Sequence, residues 1–336
     1  MKAFGYTRYG PPDLLRLKEL EPPSPKPNEV LVRIHAASVN PLDWHLLRGE
    51  PRLLRLMGFG LLRPKDGRLG ADIAGLVESV GTNVTQFQPG DEVYGDVFRG
   101  GYAEYVCAME DKLVQKPAGM TFDEAAAIPV AGLTALQGLR DRGRIQSGQS
   151  VLIHGASGGV GTFAVQIAKS FGARVTGVCS TRNLELVRSL GADDVIDYSR
   201  TDFAEQARRY DLILAVSGNR SVLEYRRALT PRGTWVGIGG SHSGLRMLAN
   251  MLVGAGVTLL GRQRMVTMMA DANRQDLQVL STLWEAGKIK PVIDRRYALR
   301  EVPDAIRYLE EGHARGKVVI HIGAESSSLF SAIGSS

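Results

Sequence analysis

Apolar residues change their spacing twice along this chain of 336 residues. Through residues 1–125 they come in short runs broken by glycine and proline, the spacing of β-strands. Met1 to Tyr6 reads as one strand, and Val30 to Ala36 alternates as a half-buried strand does. Between them, Glu21-Pro-Pro-Ser-Pro-Lys-Pro-Asn28 is a turn that cannot be helical. Gly70 to Gly81, Pro89 to Gly95 and Gly101 to Cys107 add further strands, which suggests a compact, barrel-like β domain. From Asp123 to Leu139 the period becomes helical, with Thr121 and Glu124 as a capping pair and Pro129 splitting or kinking the helix. Strands and helices then alternate. The strands are Ser150–His154, Arg174–Cys179, Val195–Tyr198, Asp211–Val216, Thr234–Gly239 and Val257–Leu260, and the helices centre near Ala168, Leu186, Ala207 and Tyr225. That alternation specifies a parallel sheet with right-handed crossovers, so the class is α/β with a doubly wound, Rossmann-type domain. A helix from Arg274 to Gly287, another from Val302 to Gly312 and a strand from Gly316 to Gly323 follow, and 324–336 reads as a frayed, serine-rich tail.

Within the first of those alternating units lies Val151-Leu-Ile-His-Gly-Ala-Ser-Gly-Gly-Val-Gly161. Gly155, Gly158 and Gly161 sit three apart after a strand, and Phe163, Ile167 and Phe171 follow at helical spacing. A turn of that kind lets backbone approach a pyrophosphate, and the helix N-terminus offers free N–H groups to it. Gly155, Ala156, Ser157, Gly158, Gly159, Val160 and Gly161 are therefore candidate dinucleotide-binding residues.

Composition narrows the picture by exclusion. With 44% hydrophobic and 23% charged residues and 39 glycines, the chain is of the globular α/β type. The net charge of +6 comes without any basic block interleaved with aromatics, so nucleic-acid binding is not expected. Two cysteines, Cys107 and Cys179, make neither a disulfide framework nor a four-cysteine zinc lobe, and both read as buried strand residues. Apolar stretches are interrupted well short of a membrane span and the N-terminus lacks a signal peptide's apolar core, so a cytoplasmic enzyme without stable membrane insertion is the expectation.

Several segments together carry a resemblance. They are Ala37-Ser-Val-Asn-Pro-Leu-Asp43, Leu69-Gly-Ala-Asp-Ile-Ala-Gly75, Pro89-Gly-Asp-Glu-Val-Tyr94, Gly101-Tyr-Ala-Glu-Tyr105, Ile128 to Ala135, His154 to Gly161, Gly191 to Tyr198 and Gly316-Lys-Val-Val-Ile320. In this order they resemble the medium-chain dehydrogenase/reductase superfamily, and most closely its zinc-independent quinone oxidoreductase (zeta-crystallin-like) branch. The resemblance implies a GroES-like catalytic domain over 1–125, a Rossmann domain over 126–263, a return to the catalytic domain over 264–323, and a homodimer with sheet edges near Val257–Leu260 paired. Zinc-dependent relatives have Cys where Asn40 stands and Gly-His-Glu where Gly70-Ala71-Asp72 stands, so no metal is expected here.

NAD-binding Rossmann domains place an acid at the end of the second strand, roughly 20 residues past the glycines. This chain has Ser180, Thr181, Arg182 and Asn183 there, and a guanidinium with a hydroxyl suits a 2′-phosphate, so NADPH is the expected cofactor. The resemblance adds Tyr198 at the same end and Thr134 near the nicotinamide. Ser217 and Gly239, at the ends of parallel strands, are read either as cofactor contacts or as plain strand-to-loop turns.

Without a metal, the expected chemistry is hydride transfer to a quinone, or alternatively to the β-carbon of an enone or enal. Asn40 is the candidate polar contact to the acceptor or the nicotinamide ribose. His45, where relatives often have Tyr, is read either as a proton donor or as a packed residue of a short helix. The apolar, basic segment between residues 48 and 68 is read as a cover over the acceptor cleft lined by Leu53, Met57 and Phe59, with an interfacial helix or a plain packed loop as the other readings. A reading of another class also stands: an NADPH-binding redox sensor or scaffold with little turnover.

Overall fold

The computed structural model describes residues 1–51, 55, 59–216, 220–238, 253–259 and 261–322. Two large sheets organise them. The first draws β3 (Glu29–Val39), β4 (Asp72–Val80), β5 (Glu92–Asp96), β6 (Tyr105–Met109) and β7 (Leu113–Gln115) from the N-terminal part. It also recruits β14 (Ile293–Ala298) and β15 (Lys317–His321) from the far end of the chain, in the order β14–β15–β3–β4–β5–β7 with β6 on β3. A hairpin of β1 (Lys2–Gly5) and β2 (Arg16–Glu19) stands beside it, and α1 (Pro41–Arg48) follows β3 directly.

Register decides what this sheet can do. β15 runs antiparallel to β3 with Val318 opposite Val39, and β4 runs antiparallel on the other side with Asp72 opposite Ser38. Lys317, Asn40 and Asp72 thereby meet at one end of the sheet, although they lie far apart in sequence.

The second sheet is wholly parallel, in the order β10 (Asp194–Asp197), β9 (Arg174–Cys179), β8 (Ser150–His154), β11 (Tyr210–Ala215), β12 (Leu229–Ile238), β13 (Arg264–Met268). Strand order reverses at β8, the place where doubly wound sheets bind ligands. Val151 and Ile153 pack into one apolar cluster and Leu152 into another, so β8 is covered on both faces, as its apolar run requires. α2 (Phe122–Ala126) and α3 (Pro129–Gln137) are the two pieces into which Pro129 divides the expected helix. α4 (Gly159–Ser170) buries Phe163 and Ile167 against the sheet. α5 (Leu184–Ser189), α6 (Val222–Ala228), a helix α7 over 253–259, α8 (Arg274–Glu285) and α9 (Val302–Glu310) complete the order.

Three expectations are corrected. Residues 257–259 belong to a helix rather than a strand, and Leu260 lies outside the described residues. The Thr258 hydroxyl bonds back to the Gly254 carbonyl and Val257 packs on the sheet while Leu259 faces solvent, so tertiary packing overrides β-branched propensity. The sixth strand is β13 instead, which carries the parallel sheet past residue 263 to Met268. Near Ala207 only turns form; a window this short before β11 cannot sustain a helix. β3 is buried almost throughout rather than alternating, because three strands pair with it and apolar clusters cover both sides.

Phe163, 1% exposed, anchors α4 to β8. Phe163→Ala is expected to lower unfolding free energy by about 3–5 kcal/mol, whereas Leu62→Ala, at a side chain 85% exposed, stays within about 0.5 kcal/mol; urea melts of the three proteins read the difference.

Candidate active site

Each glycine of the turn after β8 has its own steric reason. Gly155 has φ +88°, a left-handed conformation open to glycine. A Cβ at Gly161 would collide with the Gly155 carbonyl where helix meets strand, and one at Gly159 would press on the Lys317 side chain at 3.1 Å. At Gly158 the nearest protein atom to such a Cβ is 3.7 Å away, so the protein itself leaves that surface clear. The Gly155 and Ala156 amides are spent on the Val178 carbonyl. Gly159, Val160 and Gly161 open α4, so their N–H groups have no partner within the helix. Gly316 donates its N–H to the Ser157 carbonyl at 2.9 Å, joining the other sheet to this turn.

At the end of the first sheet stands a buried polar cluster. Asn40 caps α1, yet its side chain is turned away from the helix: Nδ2 donates to Asp72 Oδ2 at 2.9 Å and Oδ1 accepts from Lys317 Nζ at 2.6 Å. Lys317 also reaches Asp72 Oδ2 at 3.2 Å and the Val39 carbonyl at 3.3 Å. Asp72 further accepts from Ser38 Oγ at 2.6 Å and from the Val130 N–H in the first turn of α3 at 2.8 Å. All of these side chains are buried, Asp72 completely. Thr134, one turn beyond Val130, donates its hydroxyl to the Val130 carbonyl at 2.6 Å and keeps only acceptor capacity.

Two further acids stand next to the cluster, Asp43 by Asn40 and Asp96 by Asp72. Asp43 holds the Asn40 backbone N–H, the Gly70 N–H and the Tyr102 hydroxyl, all at 2.8 Å, while burial pushes its carboxyl up to about 6. Asp96 stands directly opposite Asp72 in the β4–β5 register. Burial, and then the Asp72 charge, push Asp96 up to about 7 against the Phe98 N–H bond and the Lys112 charge. His45, further along α1, places Nδ1 2.8 Å from the Glu50 carbonyl, and its ring stacks on Trp44. A carbonyl only accepts, so that contact makes Nδ1 the protonated nitrogen.

At the far end of the turn, Asn183 sits between Ser157 Oγ and Ser180 Oγ, at 2.9 and 3.1 Å from its Nδ2. Arg182 is exposed and reaches the His313 carbonyl at 3.0 Å; Tyr198 is also exposed, its N–H on the Cys179 carbonyl. Phe59 lines a groove of about 910 Å³ with Tyr6, Asp66, Phe98 and Arg99, and the Arg99 guanidinium lies 4.9 Å over its ring. That groove includes neither Asn40 nor the glycine turn. Leu53, Met57, Ser217 and Gly239 lie outside the described residues. Cys179 is buried as expected, but Cys107 is only half-buried; burial holds both thiols up near 11.

With this geometry in place, comparison with known proteins is decisive for kinship. The alcohol dehydrogenase GroES-like domain family matches residues 26–118, and the zinc-binding dehydrogenase family matches residues 190–320. A 2-methylene-furan-3-one reductase from Solanum lycopersicum is 39% identical over 96% of this chain and 79% of its own. The quinone oxidoreductase from Coxiella burnetii superposes with a TM-score of 0.85 at 32% identity, covering 96% of this chain and 99% of that one. An Escherichia coli quinone oxidoreductase solved with NADPH has a TM-score of 0.82 at 25% identity, covering 96% and 100%. The chain belongs to the medium-chain dehydrogenase/reductase superfamily, in its quinone oxidoreductase branch. It is an oxidoreductase of that branch, with a GroES-like domain and a Rossmann-like parallel sheet.

The described residues at the end of the first sheet do not fit a zinc ion. Among the described residues no three His, Cys, Asp or Glu side chains converge as ligands. Where a cation would have to sit, Asn40 Oδ1 and Asp72 Oδ2 already surround the Lys317 ammonium. Reading the sequence found Asn40 but missed the partners that hold it. Asp72 was visible only as a missing metal ligand and Lys317 only as part of a motif, while Asn183 carried no signal beyond its place after Arg182.

Asp96 gives this site a dependence on pH. Its folded carboxyl binds a proton more tightly than the unfolded one, from an ordinary 3.8 to about 7, so its contribution to stability is complete below about pH 4 and is lost as pH rises through 7. Asp96→Asn is therefore expected to match the wild type at pH 4 and exceed its stability at pH 8 by on the order of 2–4 kcal/mol, measured by denaturant titration at both pH values.

Proposed function

We propose that the chain is an NADPH-dependent, metal-independent reductase of quinones. The observation that carries this reading is the locked Asn40 amide at the end of the first sheet, tied through residues 316 and 317 to a phosphate-type glycine turn. Gly159, Val160 and Gly161 would hold the pyrophosphate with their free N–H groups, and the clear surface at Gly158 leaves room for its approach. Thr134, able only to accept, suits the carboxamide N–H of a nicotinamide. NADPH, when bound, supplies a hydride to the electrophilic acceptor. Asn40 then donates a hydrogen bond to the bound pair, and the buried surroundings exclude water and strengthen that bond.

The choice of NADPH over NADH rests on the end of β9. No carboxylate stands there. Asp197, on the neighbouring β10, is occupied by Thr181 Oγ1 at 2.6 Å, by Ser199 and by Arg200. If Asn183 takes the oxygens of Ser157 and Ser180, both hydroxyl protons remain to donate to a 2′-phosphate, with Arg182 alongside.

Enone or enal reduction is a second reading, favoured by the likeness to the tomato reductase. The two acceptors share one requirement, a donor facing the oxygen that gains charge. A homodimer also belongs to the proposal, now through β13, the edge strand of the second sheet among the described residues, rather than residues 257–260; light scattering is expected to give twice the 36.4 kDa chain mass, and a monomer mass rejects it.

Stopped-cuvette assays test the function. NADPH absorbance is expected to fall rapidly with an ortho-quinone and more slowly with a short enone, with NADH poorer in each. Arg182→Ala is expected to raise KM for NADPH roughly tenfold while leaving NADH unchanged. NADPH binding with no oxidation by either acceptor would transfer the case to the sensor or scaffold.

A further inference from the structure

Lys317 is the buried group that hydride transfer itself does not need. We propose that Lys317 is a positioning residue: it takes Oδ1 of Asn40 and so compels the amide to offer its second Nδ2–H to whatever is bound. The inference rests on Asn40 being the polar contact proposed above.

The two faces of an asparagine amide are nearly equal in shape, so only their partners can decide its orientation. Lys317 donates and never accepts; the Asp72 carboxylate accepts and does not donate. With Lys317 Nζ at 2.6 Å on one side and Asp72 Oδ2 at 2.9 Å on the other, only one orientation satisfies both. A flip would set NH2 against an ammonium and C=O against a carboxylate, replacing two charge-assisted bonds by two repulsions. The second Nδ2 hydrogen has no partner among the described residues. Asn40 is thereby fixed as a donor.

The ammonium is itself fixed. Its three hydrogens match three acceptors: Asn40 Oδ1, Asp72 Oδ2 and the Val39 carbonyl. Its stem runs under Gly159, where any Cβ would crowd it. The preceding residue, Gly316, pairs with the glycine turn through the Ser157 carbonyl and a bridge to Gly158. One short segment therefore holds the amide and rests on the turn that would carry the phosphates.

A double-mutant cycle separates positioning from mere support. Asn40→Ala, Lys317→Met and the double variant are compared by kcat and KM with the quinone, NADPH Kd and melting temperature. Lys317→Met is expected to lower kcat/KM by roughly 10- to 100-fold, the scale of losing one oriented donor. In the Asn40→Ala background the same change is expected to cost less than about twofold, since the group it orients is gone. Equal losses in both backgrounds, or an unchanged kcat/KM in Lys317→Met, overturn the proposal. An Asn40→Ala enzyme with wild-type constants overturns the underlying reading of Asn40, a result distinct from an additive cycle. Should Lys317→Met unfold because Asp72 is left unpaired, Asp72→Asn/Lys317→Met removes both charges and takes its place in the cycle with the same expectations.

Discussion

An ammonium taken out of water loses its hydration and must find acceptors for every hydrogen, or the chain will not fold around it. Lys317 finds three, and the carboxylate it meets is itself surrounded by Ser38, Asn40 and the first turn of α3. Such a pair gives little net stability, because desolvation of both charges offsets most of their attraction. What it does supply is geometry. Four elements (β3, β4, β15 and α3) and the residue that caps α1 contribute a group to the cluster, so none of them can shift without breaking a charged hydrogen bond.

The diversion of Asn40 from its own helix follows from the same constraint. An asparagine at the start of a helix ordinarily turns its oxygen back to an N–H of the first turn. Here the Asp43 N–H donates to the Asn40 backbone carbonyl at 3.0 Å, while the Asp43 carboxylate accepts from the Asn40 N–H at 2.8 Å. The side chain is released from capping and can serve the cluster instead. Asp43 in turn bonds the Gly70 N–H and the Tyr102 hydroxyl, which carries the restraint into the loop before β4.

How much of this was legible in the sequence depends on the range of the physical cause. The glycine turn was legible because its reasons are local: Gly155 needs a left-handed φ, and Gly161 must let α4 approach β8 within six residues. The split at Pro129 was legible for the same reason. Asp72 and Lys317 were not, since 245 positions separate them and only the pairing of β15 with β3 and of β3 with β4 brings them together. No periodicity within either strand reports on that pairing. Residues 257–259 misled in the opposite way: their composition favours a strand, and packing against the parallel sheet makes them helical. The groove holding Phe59 likewise depends on Arg99, whose place over that ring comes from the loop after β5.

Where Asp72 stands, zinc-dependent relatives keep an acid beside a histidine ligand, and Ala71 here removes the imidazole while the acid remains. The carboxylate is met instead from β15, the strand beside β3. Its first residue is Lys317, whose stem runs beside Gly159, where a Cβ would crowd it at 3.1 Å, on its way to Asp72. The acid retained at position 72 is thus met by a cation that the chain itself supplies. The stem of that cation lies against the glycine turn after β8, so the cluster and the turn are held by one short segment. An Asp96 carboxyl pushed up to about 7, so only about half ionised at neutral pH, weakens the second negative charge that would compete with Asp72 for that cation.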